Sequence, residues 1–287
     1  MIAVRKKSGE AVLPAADSKD TAIAVQSPVT LVSPTGKRAW GKKMGDIVLG
    51  CPNSCRYCYA RAAAKRYGRI HDLNEWGTTY FQLGKSKVNK GWKNHGTVRF
   101  PTTHDITPKF LEESVTVVRN LLAGGNHVIV CSKPRLDCIK RLCREFADNR
   151  DRLAFRFTIG AMDDAILRYW EPGAPDFKER FDSLKLVFRK GFDVSVNIEP
   201  MLDAPNVLKL FRKLAPYVNV FINIGKMNNI PRPETKDEES AVCRIKENQT
   251  KDRIRAIYED LKDEKLVRWS PKIRKILGIE KECNPCG

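Results

Sequence analysis

Residues 47–58 read IVLGCPNSCRYC, an apolar run that ends at a glycine and is followed at once by three cysteines. These are Cys51, Cys55 and Cys58, and no fourth cysteine lies close by in the sequence. A closed zinc site or a fully ligated iron–sulfur cluster takes four protein ligands. Three closely spaced thiolates therefore suit a [4Fe-4S] cluster with one iron left open, which can bind a small molecule and pass it an electron.

Zinc binding and plain burial are the alternatives for these cysteines. Pairs of the form Cx2C, such as Cys55 and Cys58, are common in zinc knuckles, and cysteine is also a frequent buried hydrophobe. Cys51, four residues before Cys55 and directly after an apolar run, favours the cluster, because a motif is evidence for a site only in its expected structural context.

Length and composition set the compartment and the size of the fold. The chain has 287 residues, 42% of them hydrophobic, which is enough for one large domain or two small ones. No run approaches the roughly 20 apolar residues of a membrane span, and the N-terminal sequence MIAVRKK lacks the apolar core of a signal peptide. We expect a cytoplasmic protein with no membrane partner, in which the nine cysteines stay reduced.

The charge balance points to a polyanionic partner. Lysine and arginine number 52 against 34 aspartates and glutamates, so the formal net charge is +18. Such an excess is large for an enzyme of small neutral metabolites and favours nucleic acid as partner. A basic but inert surface is the alternative.

Short, continuous apolar runs alternate with helical patterns over most of the chain. We predict strands at 46–50, 97–101, 127–131, 154–159, 194–198 and 218–224. We predict helices at 108–122, 136–146, 176–190, 206–214 and 251–261. Because the runs do not alternate polar and apolar residues, these strands are expected to be buried on both faces of a parallel α/β sheet. Periodicity alone does not distinguish a barrel from an open, doubly wound sheet.

The segments after the strands carry the polar residues from which an α/β active site is built. Thr103, Asp105 and Asp163 are candidates for capping the helices that follow. Lys133 is expected to bind a ligand, because a charge at a barrel mouth needs a partner. For Glu199, a ligand role and a salt bridge remain equally open.

The spacing Cx3Cx2C, with Tyr57 before the last cysteine, resembles the motif of the radical S-adenosylmethionine (radical SAM) enzymes. That family implies a partial (β/α)6 barrel with the cluster loop directly after the first strand. Three further stretches resemble the spore photoproduct lyase-like branch, often called DNA-repair-photolyase-like: CYAR at 58–61, SKPR at 132–135, and EPGAPDFKER at 171–180 with GFDVSVN at 191–197. The resemblance covers roughly residues 45–228.

This resemblance implies the cofactors and most of the site. The three cysteines would hold the cluster, whose open iron would be chelated by the amine and carboxylate of SAM. The remaining SAM-binding residues would be Tyr57, Thr103, Lys133, Thr158 and Asn197. An external donor of the flavodoxin or ferredoxin type would supply the electron, and SAM would be cleaved to methionine and a 5′-deoxyadenosyl radical that abstracts hydrogen from the substrate.

One departure from the branch separates this chain from the best-known reaction of its relatives. Spore photoproduct lyase carries a hydrogen-donating cysteine after its second strand, whereas residues 101–105 here read PTTHD. Cys131 lies within an apolar run and is expected to be a buried core thiol. We therefore do not expect spore photoproduct repair.

The substrate is indicated by residues 59–96, a long insert between the first two predicted strands. From Arg56 to Gly96 the sequence contains nine lysines or arginines and two acidic residues, interleaved with Tyr67, Trp76, Tyr80, Phe81 and Trp92. Basic groups can follow phosphates while aromatic rings stack on bases, so a nucleic acid or nucleotide is the predicted substrate. A small satellite core beneath a basic rim is the alternative for the insert. A peptide or small-metabolite substrate, or a non-catalytic zinc module that binds nucleic acid, are the alternatives for function.

The predicted organisation has three parts. Residues 1–35 form a peripheral N-terminal segment, 36–230 the core barrel with the insert 59–96, and 231–287 a C-terminal helical extension. The extension ends in a tail that contains Cys283 and Cys286. That pair could join an auxiliary metal site, but two cysteines that share no ligand are favoured.

Overall fold

A parallel sheet with helices between its strands dominates the computed structural model, which describes residues 42–43, 46–78, 80–81, 88, 91–233 and 235–279. Seven strands form the sheet: β1 (Lys42–Lys43), β4 (Thr97–Phe100), β5 (His127–Ser132), β6 (Leu153–Thr158), β7 (Asp193–Ile198), β8 (Ile222–Ile224) and β9 (Val267–Trp269). All six pairings between neighbours in this sheet are parallel. A separate antiparallel pair joins β2 (Val48–Leu49) to β3 (Tyr80–Phe81).

The strand order confirms the predicted fold class. In the sheet the strands follow one another in chain order from β1 to β9. Right-handed crossovers that always advance in one direction place all of their helices on one face of the sheet, which is the winding of a β/α barrel. A doubly wound sheet would instead reverse direction at one point. Since β1 and β9 are not neighbours in the sheet, the barrel is partial.

Helices connect the strands. They are α1 (Tyr59–Arg66), α2 (Leu111–Ala123), α3 (Leu136–Glu145), α4 (Asp164–Trp170), α5 (Phe177–Arg189), α6 (Val207–Leu214), α7 (Lys236–Asn248), α8 (Lys251–Leu261) and α9 (Pro271–Leu277). Of these, α2, α3, α5, α6 and α8 lie at nearly the predicted places. Short 3-10 turns at Leu73–Gly77, Pro108–Phe110, Ala204–Asn206 and Ala215–Tyr217 complete the connections. Four helices begin at an aspartate or threonine whose side chain accepts a backbone N–H, as helix-capping residues do: Asp163, Asp176, Thr235 and Thr250.

The central strands are largely buried on both faces of the sheet, as expected, but the two faces differ in polarity. One face carries fully buried apolar residues such as Val98, Val130 and Phe155, which join the main hydrophobic core. The other face is polar. On it, Arg99 is level with Ile129, Cys131 with Arg156, and Thr158 with Asn197. The inner face of the partial barrel therefore presents polar side chains that can contact solvent or a ligand.

Two strand predictions were incomplete. The run at 46–50 was expected to be the first strand of the sheet, but β1 pairs with β4 instead, and β2 turns away to pair with β3. At the other end, β9 lies within the predicted helical extension and pairs with β8 as a further strand of the sheet. The N-terminal segment 1–35 and the tail with Cys283 and Cys286 fall outside the described residues.

Membrane-spanning helices are not found in the described ranges, because none of the helices there combines the necessary length and hydropathy.

Candidate active site

The cysteine loop follows β2 through a glycine that no other residue can replace without a shift. Gly50 has φ +89°, and a Cβ atom there would lie 2.1 Å from the carbonyl oxygen of Thr78. The next amide, that of Cys51, donates a 2.7 Å hydrogen bond to the carbonyl of Trp76. The loop is thereby tied to the 3-10 turn of the insert, and α1 begins directly after Cys58, whose sulfur accepts a hydrogen bond from the amide of Arg61.

A buried asparagine in the cysteine loop, Asn53, ties the loop to neighbouring segments. Asn53 donates to Asp105 Oδ2 at 2.8 Å and accepts from Arg135 Nη2 at 2.9 Å. Arg135 also donates to the carbonyl of Gly173 at 2.7 Å, and the amide of Gly173 donates to the carbonyl of Asn53. The EPG segment that begins at Glu171 therefore packs directly on the cysteine loop.

The three cysteines line one cavity of about 280 Å³. Cys51 and Cys55 are buried and Cys58 is half-buried. The cavity is also lined by Tyr57, Tyr59, Thr102, Thr103, His104, Asp105, Lys133, Glu199, Lys226 and Asn228, among others. We call it the cysteine cavity. It brings together the three predicted cluster ligands and three of the five predicted SAM residues.

Three cysteine thiols on one loop are donors of the kind that an iron–sulfur cluster takes. Three thiolates on one zinc, at about 2.3 Å each, lie within about 4 Å of one another. Within the described ranges, no three His, Cys, Asp or Glu side chains are grouped to hold one metal ion. Burial, with a smaller contribution from Asp105, raises the pKa of the Cys51 thiol to about 12.

A buried charge cluster lies beside the loop. Glu171 forms an ion pair with Arg180 at 2.5 Å, and its other oxygen lies 3.8 Å from Lys133 Nζ. The hydroxyl of Tyr57 donates to the same carboxylate. Burial alone would lower the pKa of Lys133, but Cys55 and Glu171 more than offset this and hold the pKa above its usual range. The cluster thus contains two cations, Arg180 and Lys133, and one carboxylate, Glu171. Lys133 is the cation of this cluster that lines the cysteine cavity.

Glu199 is held by amides rather than by a cation. Asn223 Nδ2 donates to it at 2.9 Å and Asn228 Nδ2 at 3.2 Å. No ion pair to Glu199 occurs among the described residues, so the salt bridge left open by the sequence is not found. Burial raises the pKa of this carboxyl. Gly225 is required behind it, since a Cβ there would lie 2.5 Å from the carboxyl carbon.

A second cavity of about 310 Å³ occupies the polar inner face of the barrel. Its lining is Tyr59, Arg99, Pro101, Thr102, His104, Asp105, Cys131, Ser132, Lys133, Arg156, Thr158 and Asn197. We call it the lumen cavity. It shares Tyr59, Thr102, His104, Asp105 and Lys133 with the cysteine cavity. The structure therefore divides the predicted SAM residues, with Tyr57 and Thr103 in one cavity, Thr158 and Asn197 in the other, and Lys133 between them.

Several sequence expectations for single residues change. Cys131, expected in the core, is partly exposed and lines the lumen cavity. Asp163 caps α4 as expected, whereas Asp105 accepts from Asn53, Ser132 and the Lys133 amide and so joins two strand ends.

The aromatic residues of the insert were predicted either to stack on bases or to form a small satellite core, and they differ in exposure. Trp76 is 2% exposed and packs with Cys51, Ala60 and Ile70 in a small core, which supports the satellite-core alternative for this residue. Tyr67 is 70% exposed and is free to contact a partner. The side chains of Tyr80 and Phe81 fall outside the described set.

Sequence reasoning missed Arg99, Arg156 and Asn53. Arg99 and Arg156 occupy strand positions between apolar neighbours, in TVRF and LAFRFT. A single charge between apolar residues was the available signal of a polar inner face. Asn53 carried no such signal, because its partners come from distant parts of the chain.

Comparison with known proteins gives distant similarities. No protein-family model matches the chain. An uncharacterized protein of Methanocaldococcus jannaschii is 23% identical over 198 residues, covering 66% of this chain and 72% of that protein. A solved variant of spore photoproduct lyase with a dinucleoside spore photoproduct has a TM-score of 0.47 and 14% identity over 78% of this chain. SuiB of Streptococcus suis bound to S-adenosylmethionine has a TM-score of 0.44 and 9% identity over 77% of this chain.

This chain spans 65% of the spore photoproduct lyase chain and 44% of SuiB, so each neighbour contains substantial regions without a counterpart here. At these identities, the function has to be argued from the residues of the two cavities.

Proposed function

We propose that this protein is a radical SAM enzyme of the spore photoproduct lyase-like type. A [4Fe-4S] cluster would be held by Cys51, Cys55 and Cys58, with SAM on its open iron. The main support is the convergence of three thiols on one cavity that is also lined by side chains which the family resemblance assigns to SAM. The polar inner face of a partial barrel, next to that cavity, provides room for a substrate.

The cluster and SAM, when bound, supply one-electron reductive cleavage of SAM and a radical that abstracts hydrogen from a substrate. The chain itself supplies binding and orientation. Tyr57, fixed by Glu171, and Thr103 would contact SAM, and Lys133 would offset negative charge on the thiolates and on SAM. The hydrogen bonds from Asn223 and Asn228 fix Glu199 as an acceptor at the cavity wall.

The substrate and partners follow from charge. A net charge of +18 favours a nucleic acid or nucleotide, and an external flavodoxin or ferredoxin would supply electrons. We assign the protein to the cytoplasm, because an oxygen-sensitive cluster suits that compartment and the seven cysteines among the described residues are free thiols.

The test is anaerobic reconstitution with iron and sulfide, followed by an assay for methionine and 5′-deoxyadenosine under a strong reductant. Cys55→Ala is expected to lose the cluster and the cleavage. The matched control is Cys243→Ala, because Cys243 is an exposed cysteine on α7, outside the lining of both cavities. SAM cleavage that survives Cys55→Ala, or zinc in place of iron and sulfide in anaerobically purified protein, would overturn the proposal.

A further inference from the structure

A buried tryptophan lies against the cysteine loop. Trp76 is 2% exposed, lines the cysteine cavity and packs with Cys51 and Ala60. Its backbone also contacts the loop, because its carbonyl accepts the Cys51 amide at 2.7 Å. The next residue, Gly77, is close to the loop as well, since a Cβ atom there would lie 3.0 Å from Ser54 Oγ. Backbone and side-chain contacts together thus hold Trp76 beside the thiols.

The 3-10 turn that carries Trp76 is fixed by its own cap and by α1. The capping box joins Asp72 and Glu75, with the Asp72 amide donating to Glu75 Oε1 at 2.8 Å. Arg61 Nε donates to the carbonyl of Leu73 at 3.1 Å, which ties the turn to α1. The position of the indole is therefore set by the insert and by the helix that follows the cysteines, without a bound group.

The indole N–H of Trp76 is a donor without an acceptor. Nε1 is buried, and none of the described residues accepts a hydrogen bond from it. A buried donor in this state is destabilising, and each such group in a native structure calls for an explanation. Phenylalanine would also fill an apolar core and would carry no N–H. The donor is therefore expected to meet an acceptor that the free chain does not contain.

Charged sulfur is the acceptor that this position can meet. Trp76 packs on Cys51, and Cys58 lies against the same small core. As thiols these sulfurs are weak acceptors. In a bound cluster they are thiolates, accompanied by sulfide ions, and both carry negative charge. Hydrogen bonds to the sulfurs are among the features by which a protein sets the reduction potential of such a cluster.

We propose that the indole N–H of Trp76 donates a hydrogen bond to a sulfur of the bound cluster on the Cys51 side, and thereby raises the reduction potential of the cluster. Reduction adds negative charge to the sulfurs, and hydrogen bonds to charged acceptors are the stronger ones. The donor therefore stabilises the reduced form more than the oxidised form. Trp76 is in this sense a tuning residue that does not contact the substrate. The inference deepens the proposed function, on which it rests for the presence of the cluster.

The experiment is a potentiometric titration of the full chain after anaerobic reconstitution, without SAM, with the reduced cluster followed by electron paramagnetic resonance. The variant is Trp76→3-benzothienylalanine, which keeps the shape of the indole and replaces its N–H by sulfur. We expect reduction to become about tenfold less favourable, a fall in potential of about 59 mV for a one-electron couple. Trp269→3-benzothienylalanine is the matched control and should leave the potential unchanged, because Trp269 is 5% exposed and lies outside the lining of both cavities.

Two further measurements separate this role from packing. In the cluster-free protein the N–H has no acceptor, so the isostere at position 76 should be at least as resistant to urea as the wild type. In reconstituted wild type with nitrogen-15 in its indole rings, electron–nuclear double resonance should show a nitrogen coupled to the reduced cluster. Trp76 is the one described tryptophan that lines the cysteine cavity, and this measurement needs no variant. An equal potential in isostere and wild type, a less stable cluster-free isostere, or no nitrogen coupling would overturn the inference.

The outcomes distinguish this inference from the proposed function. A cluster whose potential depends on the Trp76 N–H, in a protein that never cleaves SAM, would sink the proposed function alone. SAM cleavage by a protein whose cluster has the same potential with the indole and with its isostere would sink the present inference alone. Zinc in place of iron and sulfide in the anaerobically purified protein would sink both.

Discussion

The carboxylate of Glu171 and the guanidinium of Arg180 lie 2.5 Å apart, and neither side chain has exposed surface. The same carboxylate accepts from Tyr57 and faces Lys133. Arg180 is further tied by Nε to the carbonyl of Pro175 at 2.8 Å. The pair therefore connects the start of α5 to the cysteine loop and to the end of β5, which makes Glu171 the common partner of three elements of the site.

Replacing Glu171 by glutamine should destabilise the protein by about 3–5 kcal/mol, because it leaves the buried charges of Arg180 and Lys133 without a counter-ion. Urea unfolding under anaerobic, reducing conditions measures the change. Glu145→Gln is the control, since Glu145 joins a partly exposed ion-pair network with Arg119 and Arg141 and should change stability by about 1 kcal/mol or less. Equal effects of the two substitutions would show that the buried pair has no special role.

Replacing Gly173 by alanine should prevent cluster assembly while the barrel stays folded. A Cβ atom at this position would lie 1.9 Å from the carbonyl oxygen of Pro52, so the cysteine loop has to move. Iron and acid-labile sulfide per chain after anaerobic reconstitution report the effect. Gly91→Ala is the control, because its added methyl group meets none of the described residues within 4 Å. Normal iron and sulfide content in Gly173→Ala would contradict the structural role given to this contact.

The fold could be predicted from the sequence as far as local patterns reach. Cysteine spacing, apolar runs and helix stop signals are all contained within short windows, so the core strands and most helices of the sheet were found. The pairing of β2 with β3 could not be found this way, since it depends on contact between segments some 30 residues apart. The strand β9 was missed because three residues, Val267–Trp269, give too short a pattern between two helices.

The site was predicted only where one segment carries it. Cys51, Cys55 and Cys58 belong to a single loop, and their shared cavity was expected. The charge cluster of Glu171, Arg180 and Lys133 forms only when separate segments of the chain come together in the fold. The spacing of these residues in the sequence therefore did not predict it. The polarity of the inner face was not predicted. The apolar residues on either side of Arg156 indicated a strand buried on both faces, and it is, but so short a run does not show that one of the two faces carries polar side chains.

The division of the predicted SAM residues between two cavities gives a direct comparison of two threonines. Thr103→Ala, in the cysteine cavity, should weaken SAM binding about three- to tenfold, the usual effect of one lost hydrogen bond. Thr158→Ala, in the lumen cavity, should leave SAM affinity unchanged. Equilibrium binding of SAM to reconstituted protein measures both. A larger loss in Thr158→Ala than in Thr103→Ala would place SAM in the lumen cavity and reverse the assignment.

Stability should fall below about pH 6.5 because of His104. Ile47 N–H donates to His104 Nε2 at 3.4 Å, and Nδ1 lies 3.1 Å from the carbonyl of Asp105, so the neutral ring satisfies both contacts. Burial lowers the pKa of His104, although Asp105 and Asp46 act in the opposite direction. A lowered folded-state pKa means that the unfolded chain binds the proton first as the pH falls.

The expected effect of this histidine is a loss of up to about 1.4 kcal/mol per pH unit between the unfolded pKa near 6.5 and the lower folded pKa. Urea unfolding at pH 7.5 and at pH 5.5, in wild type and His104→Gln, isolates the contribution. His71→Gln is the control, because His71 is exposed, and it should retain the wild-type dependence. If His104→Gln loses as much stability as wild type between the two pH values, a different group is responsible, and the ring of His104 is not held neutral by the contacts with Ile47 and Asp105.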